Sequence, residues 1–160
     1  MASEEVPTLY DWAGGSVALE ALFRRFYEHV KHDALLGPIF AAMDPQHHLH
    51  VAAFVAEVFS GPHTYSEAYG GHAAMIRKHL GRHLSELARK RWMTLLLETA
   101  DELGVPTDPE FRSALVGYLE WGSRLAVINS QPGVAEPSQS PMPVWSWGAP
   151  GGPYVEKAGQ

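Results

Sequence analysis

The chain has 160 residues, 46% hydrophobic, 19% charged and 11% aromatic, enough for about one domain that buries roughly two thirds of its unfolded surface. Twelve Lys and Arg against eighteen Asp and Glu give a net charge of −6, which argues against duplex nucleic acid or an anionic membrane as partner, since both attract clustered cations. With no cysteine, disulfides, a thiolate nucleophile, cysteine-held zinc or iron–sulfur clusters and a thioether-linked cofactor are excluded.

No apolar run approaches the ~20 residues needed to span a bilayer. The opening MASEEVPTLYDW is acidic where a signal peptide is basic and then apolar. A soluble, cytoplasmic protein is expected.

In chain order, Gly14-Gly15 breaks any earlier helix, and Leu19, Leu22, Phe23, Phe26 and Val30 form one stripe of a helix over 17–30. Leu49, Ala53, Phe54 and Val58 predict a second helix over 46–59, ended by Gly61-Pro62. A short helix around 73–80 follows Gly70-Gly71. A further stripe through Ala88, Trp92, Leu95 and Leu96 runs from Ser85 to Leu103, where Gly104 and Pro106 stop it. Asp108-Pro109 is a cap followed by a first-turn proline, and starts a helix that runs to about Asn129. No strand-like alternation of comparable length occurs, so the fold class is all-α. The domain is expected over 1–130. The extension 131–160 is rich in Pro, Gly and Ser and lacks periodicity, which favours a flexible tail; docking of Trp145 and Trp147 onto the domain is the rival expectation.

Nine histidines, most of them between His29 and His83, raise the question of which carries chemistry, because histidine is both the commonest metal ligand and the usual acid or base near neutral pH. His79 sits in IRKHLGRHL with Met75 one turn before it and Leu80 beside it; alone, it reads as a satisfied core histidine. Tyr27 and Trp92 change that reading, since each brings a donor into an apolar stripe. Buried donors without an evident protein acceptor suit a small polar ligand.

The segments RRFYEHV (24–30), LLGPIF (35–40), SGPHTYSE (60–67), RKHL (77–80) and RW (91–92) resemble the truncated haemoglobins, the two-over-two helical globins, and specifically their second group. The resemblance covers about residues 8–130. It implies haem b with its iron, His79 as the proximal iron ligand, Tyr27 as the distal tyrosine, Phe40 as the aromatic residue on the porphyrin face and Trp92 as the tryptophan typical of the group. Read without gaps, His47 falls on the ligand gate and Val51 on the next pocket position, whereas a shift of one turn exchanges His47 for His50. His50, Arg77, Lys78 and Arg82 are candidate partners for the haem propionates, and Phe54, Met75 and Leu80 are candidate haem contacts. The chain departs from the family pattern at Ser60-Gly61, where a Gly-Gly pair is common, and at Ile76, which replaces a common basic residue.

What the resemblance implies for function follows from charge. A ligand drawing electron density from ferrous iron presents a partial anion, to which a phenol and an indole can donate. Hydrogen bonds to charged groups are worth ~1.5–3 kcal/mol, or roughly tenfold to hundredfold slower ligand escape. The implied protein binds dioxygen tightly, with CO and NO as further ligands; nitric oxide dioxygenase or peroxidase-like chemistry, a reductase partner and a homodimer are compatible with it. Two rivals stand beside this reading. His79 with His83 and His47 with His50 are each spaced to share a helix face and could make a four-nitrogen zinc or copper site; the simplest reading of the His47–His50 cluster is a solvated helix start. The other rival is an interaction or sensor module that keeps only the helical shell.

Overall fold

The protein's structure is a computed structural model that describes residues 5–137, 140–148 and 152–154. Among these residues it is all helical: α1 (Leu9–Ala13), α2 (Gly15–Lys31), α3 (His47–Val58), α4 (Thr64–Tyr69), α5 (Gly71–His79), α6 (Glu86–Glu102) and α7 (Pro109–Asn129). The long helices begin where their caps demand. The Ser85 hydroxyl accepts the Ala88 N–H at 3.1 Å, and an Asp108 carboxylate oxygen accepts that of Phe111 at 3.0 Å ahead of Pro109, so each side chain satisfies a first-turn donor left without an intrahelical partner.

The apolar stripe of α2 buries Leu19, Leu22, Phe23, Phe26 and Val30 against α3. Each such side chain contributes roughly 1.5–3 kcal/mol when removed from water. α6 packs on α7 and α2 also meets α6, giving two stacked helix pairs, the two-over-two arrangement expected.

Two short helices were not foreseen. α1 is held by the Thr8 hydroxyl, which accepts the Asp11 N–H, and by left-handed Gly14. α4 is tied to α3 through the buried Glu57 carboxylate, which accepts the Ser66 backbone N–H at 2.8 Å and the Ser66 hydroxyl. Gly61 follows α3 where a Cβ would lie 2.6 Å from the Tyr10 ring; only glycine lets Tyr10 close over this turn.

Beyond α7 the described residues form no helix or strand, and 138–139, 149–151 and 155–160 lie outside the described residues. Within 140–148 the segment is seated on the helices. The Trp145 N–H donates to the Val58 carbonyl at 2.8 Å and the Trp147 indole donates to the Pro7 carbonyl at 2.7 Å. Trp147 meets Trp12 edge-on at 5.8 Å. A composition too polar to order by itself is held there by large aromatic faces and backbone pairing.

Candidate functional site

One wall of a cavity is the run of turns over 34–42 between α2 and α3. Asp33 builds it: one carboxylate oxygen accepts the Leu35 and Leu36 N–H groups at 3.1 and 2.9 Å, and the other accepts Arg91 Nε at 2.6 Å. These contacts, led by the Leu36 amide, hold the carboxyl below the usual range while burial opposes them. Gly37 is required because a Cβ would lie 2.7 Å from the Asp33 carbonyl oxygen. The result presents Leu36, Ile39 and Phe40 to the cavity.

Facing this loop, α2 brings Tyr27 and α3 brings His47. The Tyr27 hydroxyl lies 3.1 Å from His47 Nε2, with the rings 4.9 Å apart, and Phe40 is 5.6 Å from Tyr27. Burial raises the Tyr27 pKa, the Trp92 indole opposing, so the phenol keeps its proton. Burial, reinforced by Lys78 and neighbouring histidines, lowers that of His47 to about 4, so its imidazole is neutral at pH 7. Trp92, on α6, packs edge-on against Phe26 at 5.7 Å and lines the same cavity.

His79 closes α5 on another side. Its Nδ1–H donates to the Met75 carbonyl at 2.9 Å, and burial, the first cause, lowers its pKa. A neutral ring whose Nδ1 proton is committed to a backbone carbonyl carries its lone pair on Nε2, the tautomer that can ligate a metal. The loop after it is pinned from α7: the Ser130 hydroxyl accepts the Leu84 N–H at 2.9 Å and the Ser130 carbonyl accepts that of His83 at 2.9 Å.

The cavity these elements enclose has a volume of about 590 Å³, in the range of small-molecule and cofactor sites, about 300–1,000 Å³. Of the residues singled out in the sequence, Tyr27, Phe40, His47, His50, Val51 and Phe54 line it from the α2–α3 side. Met75, Lys78, His79, Arg82 and Trp92 line it from the other. Arg77 and Leu80 do not. Arg77 is drawn outward to pair with Glu136 at 2.9 Å, and Leu80 caps α5 with extended backbone, which takes it out of the helical register. His47 and His50 both line the cavity: His47 reaches the Tyr27 hydroxyl, while the His50 ring is tilted against that of Tyr69 at 4.4 Å.

Sequence reasoning missed Leu36, Ile39, Met43 and, on α7, Tyr118, Trp121 and Leu125. For the α7 residues no signal existed, because an apolar helix face looks the same whether it meets core or ligand. Leu36 and Ile39 had one, lying inside the quoted LLGPIF.

The donor set fits a flat apolar macrocycle with an iron and two carboxylates: one neutral imidazole with a free Nε2, aromatic and aliphatic walls, and Lys78, Arg82 and His50 for the acidic edge. It does not fit the four-histidine zinc or copper site. Among the described residues no three His, Asp or Glu side chains gather where they could hold a metal ion.

Comparison with known proteins points the same way. Residues 8–120 match the bacterial-like globin family. The chain is 36% identical over 80 residues to the Group 1 truncated hemoglobin of Nostoc commune, covering 49% of this chain and 64% of that protein's length. Its fold matches the group II truncated hemoglobin from Bacillus anthracis with a TM-score of 0.70 at 22% identity, covering 78% of this chain and 93% of the other. It also matches the truncated oxygen-avid haemoglobin from Bacillus subtilis, with a TM-score of 0.67 at 27% identity over 76% of this chain and 99% of that one.

Proposed function

This chain belongs to the bacterial-like globin family, and on that premise we propose that it binds haem b through His79 and holds a diatomic ligand, dioxygen foremost, beneath Tyr27, His47 and Trp92. Haem, when bound, would supply an iron able to take a diatomic ligand and make it partly anionic. The observation that carries the reading is the pairing, across one cavity, of an imidazole with its Nδ1 proton committed and a phenol hydrogen-bonded to a neutral imidazole.

The chain's own residues account for the rest. Burial keeps His79 neutral, and the Met75 carbonyl, which accepts its Nδ1–H, fixes the tautomer. Phe40, Val51 and Phe54 exclude water from the ring faces, which strengthens each polar contact inside. Lys78 and Arg82 face the cavity and neutralise two carboxylates at its rim. In the tautomer of His47 that carries its proton on Nε2, His47 donates to the Tyr27 oxygen and leaves the Tyr27 proton for the ligand. The Trp92 indole is the second donor.

Two such donors to a partly anionic ligand slow its escape by roughly one to two decades each, which makes the protein a tight binder with slow release. The description of the Bacillus subtilis protein as oxygen-avid is consistent with this. The same donors favour oxidation of nitric oxide by bound dioxygen or weak peroxide turnover. Repeated nitric oxide oxidation would require a reductase to return the iron to the ferrous state, and peroxide turnover a reducing co-substrate; simple binding requires neither. Titration of the purified protein with hemin tests the reading: wild type saturates at one equivalent, while His79→Ala loses tight stoichiometric uptake. Equal uptake by both would remove His79 from its role.

A further inference from the structure

α5 carries His79, yet none of its residues is fully buried by the rest of the protein. Besides its packing on α4 and α7, it is held by chain beyond α7, outside the stretch that matches the globin family. Arg77 Nε pairs with Glu136 at 2.9 Å. His72 Nδ1 donates to the Pro141 carbonyl at 3.1 Å, and the His72 ring lies 6.3 Å from that of Trp121. Trp121 in turn packs on Trp145 at 5.9 Å, and Trp145 is anchored by its N–H to the Val58 carbonyl and by its edge contact with Tyr118 at 5.7 Å.

We propose that Glu136, Pro141 and Trp145 are positioning residues, a strap from the C-terminal extension that fixes α5 against α7 and so sets the place of His79 and the retention of the haem. The inference rests on the haem reading above for its functional half. The contacts divide unequally in weight. Arg77 and Glu136 are 46% and 68% exposed, and such a pair contributes little in water. Trp145 is the stronger element, since it joins α3, α7 and, through Trp121 and His72, α5. A helix with few buried contacts opens locally before the rest of the fold does, so loss of the strap acts on α5 first.

The test uses the full-length protein as purified, with hemin added, and compares wild type, Trp145→Ala and Trp145→Phe. Amide hydrogen exchange is followed over residues 71–80, with 86–102 as an internal control, and haem transfer to an excess of an apo-globin acceptor is timed in parallel. Trp145→Ala is expected to speed both α5 exchange and haem transfer about tenfold with α6 unchanged, and Trp145→Phe to restore most of the loss. Unchanged α5 exchange, or equal acceleration in α5 and α6, overturns the strap. If wild type takes up no hemin, the haem reading fails, and the exchange arm alone still decides whether the tail holds α5.

Discussion

The place of a proton decides what the Tyr27–His47 pair offers the cavity. Tyr27 has one to give and His47, 3.1 Å away, can either take it or supply its own. Removing each donor therefore separates their roles. Tyr27→Phe and Trp92→Phe are each expected to speed dioxygen release about tenfold or more, read by stopped-flow displacement with carbon monoxide. An off-rate unchanged in both variants contradicts the assigned donors. Asp33 makes the case for positioning. Its folded pKa is depressed by the Leu36 amide first and by Arg91, so the unfolded state binds more protons as the pH falls. The stabilisation is complete above the unfolded value of about 3.9 and is lost as pH drops through the lower folded value. Asp33→Asn should cost about 1–3 kcal/mol at pH 7 and flatten the acid limb of stability, measured by urea midpoints at pH 7 and pH 3. Parallel curves for the two proteins refute it. At this scale the polar members of the site were legible because a tyrosine, a tryptophan or a histidine on an apolar stripe is conspicuous. Ser130, whose hydroxyl and carbonyl pin the loop after His79, was not, because its partners lie more than forty residues away in the chain.

Among the elements, the four long helices were readable from period and punctuation: α7 begins at Pro109 and ends at Asn129, as its cap and stripe predict. α1 and α4 have too few residues for a period to show, and α4 depends on Glu57 from another helix. The α6–α7 pair also depends on a contact that periodicity cannot reveal. Arg89 is 7% exposed and bridges Glu86, on its own helix, to Glu120 of α7 at 2.9 Å; these carboxylates raise its pKa. The stretch of charges around it reads as a solvated face, yet Arg89 itself points inward. Arg89→Met fills similar volume without the charge and leaves two half-exposed carboxylates facing each other across the pair. It is expected to lower stability by about 1–3 kcal/mol, seen as a lower urea midpoint at unchanged slope. A midpoint equal to wild type means the bridge contributes nothing net.

For the whole molecule, the cavity is the product of four separate stretches, the α2 face with Tyr27, the 34–42 turns, the α3 face and the α5–α6 segment, closed by α7. The α2 face, the turns and the α5–α6 segment carry the strings RRFYEHV, LLGPIF, RKHL and RW and so were visible together, whereas the α3 positions followed only from a gapless reading between them. The closing wall was not visible, because Tyr118, Trp121 and Leu125 are ordinary apolar residues until the helix is placed. The extension after α7 was the least legible part: its composition speaks for disorder, and only the folded partners Val58, Tyr118 and Trp121 show what Trp145 has to pack against. Among the described residues no helix is long and apolar enough to cross a membrane. On the proposed reading, His79 and the Tyr27 face lie on opposite sides of a haem. The optical spectrum of the reduced, hemin-loaded protein before and after carbon monoxide tests it most directly. An intense Soret band that sharpens and shifts on adding the gas, and that is lost in His79→Ala, is the predicted result; a spectrum indifferent to carbon monoxide, or one that survives the substitution intact, contradicts it.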